Sequence, residues 1–236
     1  MFGEEFFINV LLMLLCYAYI LFIILISSKL NKLLHVSQRA SRKFLHAMIG
    51  NLPLIIPFFT SNIYPVLVAA PFILVTFFAS PYSPFRNISE KLKGLADMTE
   101  EGHHSGLVFY AVSYTFLALF FASKPNVIAA GILPMAYGDS AASLIGEKCG
   151  KRRYKLVAEK SLEGSIAMFL ASFLSLTINL IFFSLLYSFS VFEKIFPAVS
   201  VAAVATLVES LSPTGLDNLT VPISSVLTFL LLNGGV

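Results

Sequence analysis

VIAAGILPMAYGDSAASLIGEKCGKRRYK, residues 127 to 155, decides how the rest of the chain is to be read. It begins as an apolar helix long enough to enter a bilayer, then meets one acid, Asp139. Asp139, Ala142, Ser143 and Gly146 follow at i, i+3, i+4 and i+7, one face of a helix. Small residues on a face suit close helix packing, which accounts for Ala142 and Ser143. It does not account for Asp139, because a lone carboxylate in a span costs ~2.5–3.5 kcal/mol on insertion scales. Asp139 therefore reads as functional. Lys148, Lys151, Arg152, Arg153 and Lys155 close the stretch, either as a topology signal or as phosphate ligands.

The remainder of the chain agrees that the solvent is lipid. Of 236 residues, 57% are hydrophobic and 12% charged, against about 25% charged in soluble domains. Mean hydropathy is +0.84. A span needs ~20 apolar residues, and the pattern predicts spans near 6–27, 44–60, 62–80, 105–123, 127–146, 164–190, 195–212 and 219–233. The expected fold is an all-α, multi-pass transmembrane bundle of about eight spans. Asn51, Pro53 and Pro57 make the second span kinked or re-entrant, and the last two are short. No internal repeat or soluble segment interrupts the pattern, so residues 1–236 read as one integral membrane domain. Cys16 and Cys149 suggest no disulfide framework. The acidic start MFGEE, with no small-residue cleavage site after it, predicts no secretory signal peptide.

Charge orients the spans. Loops 28–43, 81–104 and 147–163 share a side and hold all of the 16 lysines and arginines except Lys124 and Lys194. The positive-inside rule makes that side cytoplasmic and puts both termini on the other. Topology thus explains the net charge of +3 without any nucleic-acid partner.

Three further polar clusters fall on the same cytoplasmic face. In SRKFLHAMIGN, Lys43, His46 and Gly50 are spaced i, i+3, i+7. Arg42 and Lys43 could be snorkelling anchors, but an ionisable His46 one turn deeper is not needed for anchoring. In EKSLEGSIA, Lys160, Glu163, Gly164 and Ala167 repeat the spacing, and Ser161 is placed to cap the next helix. That helix start is either an ordinary cap or a phosphate site. In ESLSPTGLDNLTVP, Glu209 ends one span while Asp217 and Asn218 open the next across a Ser-Pro-Thr-Gly turn. EEGHHSG, with adjacent His103 and His104, reads as a polar loop, since neighbouring residues do not share a helix face. Gly146-x-x-x-Gly150-Lys151-Arg152 lacks the spacing and the hydroxyl of a Walker A loop.

Basic groups and a helix N-terminus suit a polyphosphate, and carboxylates suit Mg²⁺ or a proton. At a membrane face this is the chemistry of phosphoryl transfer from a soluble nucleotide to a lipid. The clusters Arg42-Lys43-x-x-His46, Gly138-Asp139-x-x-Ala142-x-x-x-Gly146-x-x-x-Gly150-Lys151, Lys160-Ser161-x-Glu163-Gly164-Ser165-x-Ala167 and Glu209…Asp217-Asn218…Pro222, in this order over about residues 40–222, resemble the polyprenol kinase family. That family includes dolichol kinases, phytol kinases and CTP-dependent diacylglycerol kinases.

The resemblance implies CTP as donor, Mg²⁺ as cofactor and a membrane isoprenoid alcohol as acceptor. The chain lacks the long extra helical region of full-length dolichol kinases, which favours the compact phytol-kinase-like members. Asp139, Asp217, Glu209 and His46 are the expected catalytic groups, with Asp139, Glu209 and Asp217 as metal ligands. The expected nucleotide and phosphate contacts are Arg42, Lys43, Gly146, Gly150, Lys151, Lys160, Ser161, Glu163, Gly164 and Asn218. Three alternatives stand beside this reading: a diacylglycerol kinase, a CTP:phosphatidate cytidylyltransferase-like enzyme, and a transporter. Asp217-Asn218 lacks the second acid and basic neighbour of cytidylyltransferases, and no inverted repeat supports a transporter.

Overall fold

A computed structural model describes residues 2–80, 82–85, 87, 105–213 and 215–232. Loop 81–104 thus lies mostly outside the described residues, and with it Arg86, Lys91, Lys93, His103 and His104. Helices dominate: α1 (Phe2–Leu34), α2 (Gln38–Ile49), α3 (Ile63–Ala69), α4 (Pro71–Ala79), α5 (Gly106–Phe121), α6 (Pro125–Leu133), α7 (Asp139–Cys149), α8 (Leu162–Tyr187), α9 (Val191–Leu211) and α10 (Asp217–Leu232). Among the described residues, four helical stretches are long and apolar enough to cross a membrane: Gly3–Leu30, Pro125–Cys149, Leu162–Tyr187 and Val191–Leu211. Ile63–Ala79, Gly106–Phe121 and Asp217–Leu232 are apolar but shorter. Among the described residues, the strands are confined to a small antiparallel hairpin, β1 (Arg153–Lys155) and β2 (Glu159–Ser161).

The expected second span is broken where its prolines demand. α2 ends at Ile49, and Pro53 and Pro57 shape two 3₁₀ turns at Leu52–Leu54 and Ile56–Phe58. The segment nevertheless runs antiparallel along α1, pinned at three depths. Ser27 Oγ donates to Ser41 O, Tyr19 Oη to Met48 O at 2.7 Å, and Asn9 Nδ2 to Thr60 Oγ1 at 2.6 Å. Residues 9 to 27 of a helix rise about 27 Å, close to the thickness of a hydrocarbon core. Breaking a helix in lipid frees backbone carbonyls that need donors. Tyr19 supplies one at Met48 O and Tyr110 Oη reaches His46 O at 3.3 Å, while Tyr137 Oη donates to the Asn51 side-chain oxygen at 2.7 Å.

α6 and α7 form the buried axis of the bundle. Val127, Ile128, Ile132 and Leu133 are fully enclosed, with α8 and α10 packed on them. Pro134 cannot donate to the helix ladder, and residues Pro134–Gly138 relax into one π turn. That turn ends at Asp139. By contrast, α1 turns Leu14, Leu21, Phe22 and Leu25 outward, as a helix immersed in lipid does. α7 crosses α8 through facing glycines: a Cβ on Gly164 would lie 2.9 Å from Ala142 O and 3.4 Å from Gly146 Cα.

Candidate active site

At the end of the bundle where α2, α7, α8, α9 and α10 converge lies a cavity of about 360 Å³. Each chemical group reaches it from a different element. Lys43 and His46 come from the middle of α2, one turn apart. Asp139 is the first residue after the π turn. Lys160 stands on β2, Glu209 near the end of α9, and Asp217 at the start of α10.

These groups form one buried electrostatic unit. Lys43 Nζ lies 2.5 Å from Asp139 Oδ2, and Lys160 pairs with Glu209. Asp139, Glu209 and Asp217 are 8%, 3% and 6% exposed, so none is a solvated loop acid. One carboxylate oxygen from each lies within 4.8 Å of the others. Three acids that close repel unless cations intervene, and two lysines offset two of the three charges. Burial disfavours the Lys160 ammonium, but Glu209, with Asp139 and Asp217 beyond, outweighs it and raises the lysine above its usual value. Lys160 is therefore a fixed cation at neutral pH.

Local structure explains why the groups meet. The π turn exposes Met135 O, which lies 3.2 Å from His46 Nε2; because a carbonyl only accepts, that nitrogen carries the proton. His46 Nε2 is also 3.8 Å from Asp139 Oδ2, and its ring packs against Tyr110 at a 30° tilt with centroids 4.6 Å apart. Ser140 Oγ donates to Ala136 O at 2.6 Å and lies 3.1 Å from Lys43 O, joining α7 to α2. Tyr154 Oη on β1 sits 2.5 Å from Ser165 Oγ and 3.0 Å from Ser210 Oγ, which fastens the hairpin to α8 and α9. Lys160 is thereby aimed at Glu209. Gly215, at φ +92°, makes the left-handed turn that brings Asp217 back to the cavity.

Most residues singled out from sequence line this cavity: Arg42, Lys43, His46, Asp139, Gly146, Lys160, Ser161, Gly164, Glu209, Asp217 and Asn218. Ser161 caps α8 by accepting from the Gly164 N–H at 3.1 Å. Gly150, Lys151 and Glu163 stand off the cavity wall. Glu163 instead accepts from the backbone N–H of Lys151 at 3.2 Å and of Arg152 at 3.3 Å, holding the turn before the hairpin. Gly146 and Gly164 act first as packing residues at the α7–α8 crossing. Sequence reasoning missed Arg39, on the cavity rim 3.5 Å from Glu147, and Ser143 and Glu159 on the wall. Arg39 lies one helical turn before Lys43, a spacing that could have shown it. Two polar atoms at the cavity, Asn218 Oδ1 and Ser143 Oγ, are buried without a hydrogen-bond partner among the described residues.

No protein-family model matches the chain, and no solved structure does. Among curated proteins, a phytol kinase of Synechocystis sp. is 34% identical over 214 residues, spanning 87% of this chain and 84% of that protein. Phytol kinase 1, chloroplastic, of Arabidopsis thaliana is 30% identical over 201 residues, 81% of this chain and 66% of its own length. The dolichol kinase of Saccharomyces cerevisiae is 34% identical over 149 residues, 59% of this chain and 27% of that longer protein.

Proposed function

This chain belongs to the polyprenol kinase family, enzymes that phosphorylate a membrane alcohol, and we propose that it moves the γ-phosphoryl group of CTP to a phytol-, geranylgeraniol- or dolichol-type alcohol. The observation that carries this reading is the buried cluster of three acids and two lysines at one end of a membrane bundle. Such a cluster is costly in lipid unless it serves chemistry.

In the reaction, the alcohol oxygen attacks the γ-phosphorus, the bond from that phosphorus to the β,γ-bridging oxygen breaks, and CDP leaves. The hydroxyl proton passes to Asp139 Oδ2, the carboxylate oxygen that faces both Lys43 and His46. His46, held by Met135 O, fixes where that oxygen sits. Lys43 and Lys160, with Arg39 and Arg42 at the rim, bind the triphosphate and neutralise charge as the bridge breaks. Asp139, Glu209 and Asp217 fit Mg²⁺, which prefers a set of oxygen ligands. When bound, the ion would supply charge stabilisation at the donor phosphates. Glu163 and Lys151 shape the turn that supports this site.

The membrane arrangement that goes with this reading has about eight crossings and a cytoplasmic active site. Both termini lie on the opposite side. The three-level pairing of α1 with residues 41–60 supports counting the broken segment as a crossing. The basic loops support the orientation.

The reaction is tested with purified protein, phytol and two preparations of CTP. Label in the γ-phosphate should enter the lipid and label in the α-phosphate should remain in CDP. Appearance of the α-label in lipid, with release of pyrophosphate, would replace the kinase with a cytidylyltransferase.

A further inference from the structure

A second, smaller cavity of about 60 Å³ lies beside the first, and its wall is almost entirely hydrocarbon. It runs between α1, α2, α3–α4 and α5. Leu45 and Leu107 line both cavities, so the apolar groove and the polar site share a wall of two leucine side chains. Two of the groove's three polar side chains are bonded elsewhere, while the Tyr114 hydroxyl is buried with no hydrogen-bond partner among the described residues. Tyr110 Oη reaches His46 O, and Thr76 Oγ1 donates to Phe72 O at 2.6 Å. Its floor is formed by the buried residues Ile20, Leu52, Tyr110 and Tyr114, whereas Ile24, Phe72 and Thr76 at its flank are partly exposed.

We propose that this groove holds the hydroxyl-proximal isoprene units of the acceptor alcohol, with Leu45 and Leu107 as the gate through which the hydroxyl meets Asp139. This rests on the kinase reading above and deepens it. Continuity is the first argument: a bilayer-dissolved alcohol must present its oxygen to Asp139 while its chain remains in apolar surroundings. The leucine pair is where the two surroundings join. Size is the second. Pockets that enclose a whole drug-sized ligand measure ~300–1,000 Å³. The groove is far smaller, so it grips one section of a single chain, and the rest of the chain leaves past Ile24 and Phe72 into the bilayer. Two acyl chains on one glycerol would not enter together. The acceptor class this favours is a single-chain prenol over diacylglycerol. His46 on the polar cavity and Tyr110 on the groove, their rings packed together, set the wall at which chain ends and hydroxyl begins.

Two measurements on the full protein in nanodiscs separate this inference from the kinase assignment. The first needs no turnover: a phytol analogue with a diazirine on its first isoprene unit is photolysed with the wild-type protein. Adducts should concentrate on α5 around Leu107–Tyr114 and on α2 around Leu45–Leu52, and excess phytol should suppress them. Adducts confined to outward faces such as Leu14 and Phe22 of α1 would overturn the groove, whether or not the protein is a kinase. The second is kinetic. Ala111→Phe fills the groove from α5, and Thr76→Phe fills it from the more tolerant flank. Each should raise KM for phytol about tenfold, in the range by which apolar pockets discriminate, while leaving KM for CTP unchanged. An unchanged KM for phytol in both folded variants would overturn the groove while leaving the kinase intact. Absence of phosphate transfer to any alcohol in the wild type would overturn the kinase, and the photolabelling would still decide the groove.

Discussion

Asp139→Asn is the most informative single change. It preserves side-chain size and removes one charge from a unit of three acids and two lysines. Sequence alone suggests that neutralising a buried acid relieves a desolvation cost. The structure reverses that expectation, because Lys43 Nζ sits 2.5 Å from Asp139 and would lose its partner. Removing one member of a fully buried pair costs ~3–5 kcal/mol. Here the cost falls to ~1.5–3 kcal/mol, the value of a hydrogen bond to a charged group, because Lys43 keeps Asp217 and Glu209 nearby. Activity should suffer more. Losing one preorganised electrostatic group costs ~10²–10³ in kcat, or ~2.7–4 kcal/mol. The assay follows γ-label from CTP into phytol phosphate, beside a melting curve for each variant. Lys43→Met combined with Asp139→Asn should recover most of the lost thermal stability and none of the activity. A stably folded Asp139→Asn enzyme with near-normal kcat would refute the role given to Asp139 Oδ2.

Lys160→Met strands Glu209, which is only 3% exposed, and should destabilise by ~3–5 kcal/mol; Lys29→Ala, on an exposed surface, should leave the melting temperature within a degree or two. Gly164→Ala inserts a methyl 2.9 Å from Ala142 O and should cost ~1–3 kcal/mol by overpacking, whereas Gly3→Ala meets nothing and should be neutral. Chelating Mg²⁺ with EDTA should abolish transfer, and adding excess Mg²⁺ should restore it; activity that persists in EDTA would remove the metal role from the three carboxylates. Because Lys160 stays charged well above neutrality, its stabilising contribution is constant from pH 6 to 9 and is lost only as pH rises through its raised value. Cysteine labelling in loop 147–163 should report the cytoplasmic side and at position 124 the opposite side; the reverse would overturn the orientation.

Where the site residues sit along the chain was legible because lipid makes polar residues conspicuous. An acid in a soluble protein is ordinary, but Asp139 and Glu209 inside apolar helices carry a cost that demands a reason. The same logic marked His46 and the prolines at 53 and 57, which break the second span at the depth their spacing indicates. What periodicity cannot convey is which face of each helix meets which neighbour. Glu163 shares a motif with Lys160, yet its carboxylate accepts from the Lys151 backbone N–H across a turn, away from the cavity. The hairpin at 153–161 was invisible because three-residue strands carry no pattern of their own; Tyr154 and its two serine contacts hold it in place.

By itself, then, the sequence determined that this is a helical membrane protein, and it named nearly all the polar groups that gather at one end. Those are consequences of composition and of the cost of charge in hydrocarbon, which act residue by residue. Only the tertiary structure decided the pairings: Lys43 with Asp139, Lys160 with Glu209, and Asp217 within reach of both acids. It also set the polar cavity beside an apolar groove across Leu45 and Leu107, two leucines indistinguishable in sequence from the many that merely face outward. Coulomb energy and packing depend on distances between segments far apart in the chain, and those distances exist only once the helices have crossed.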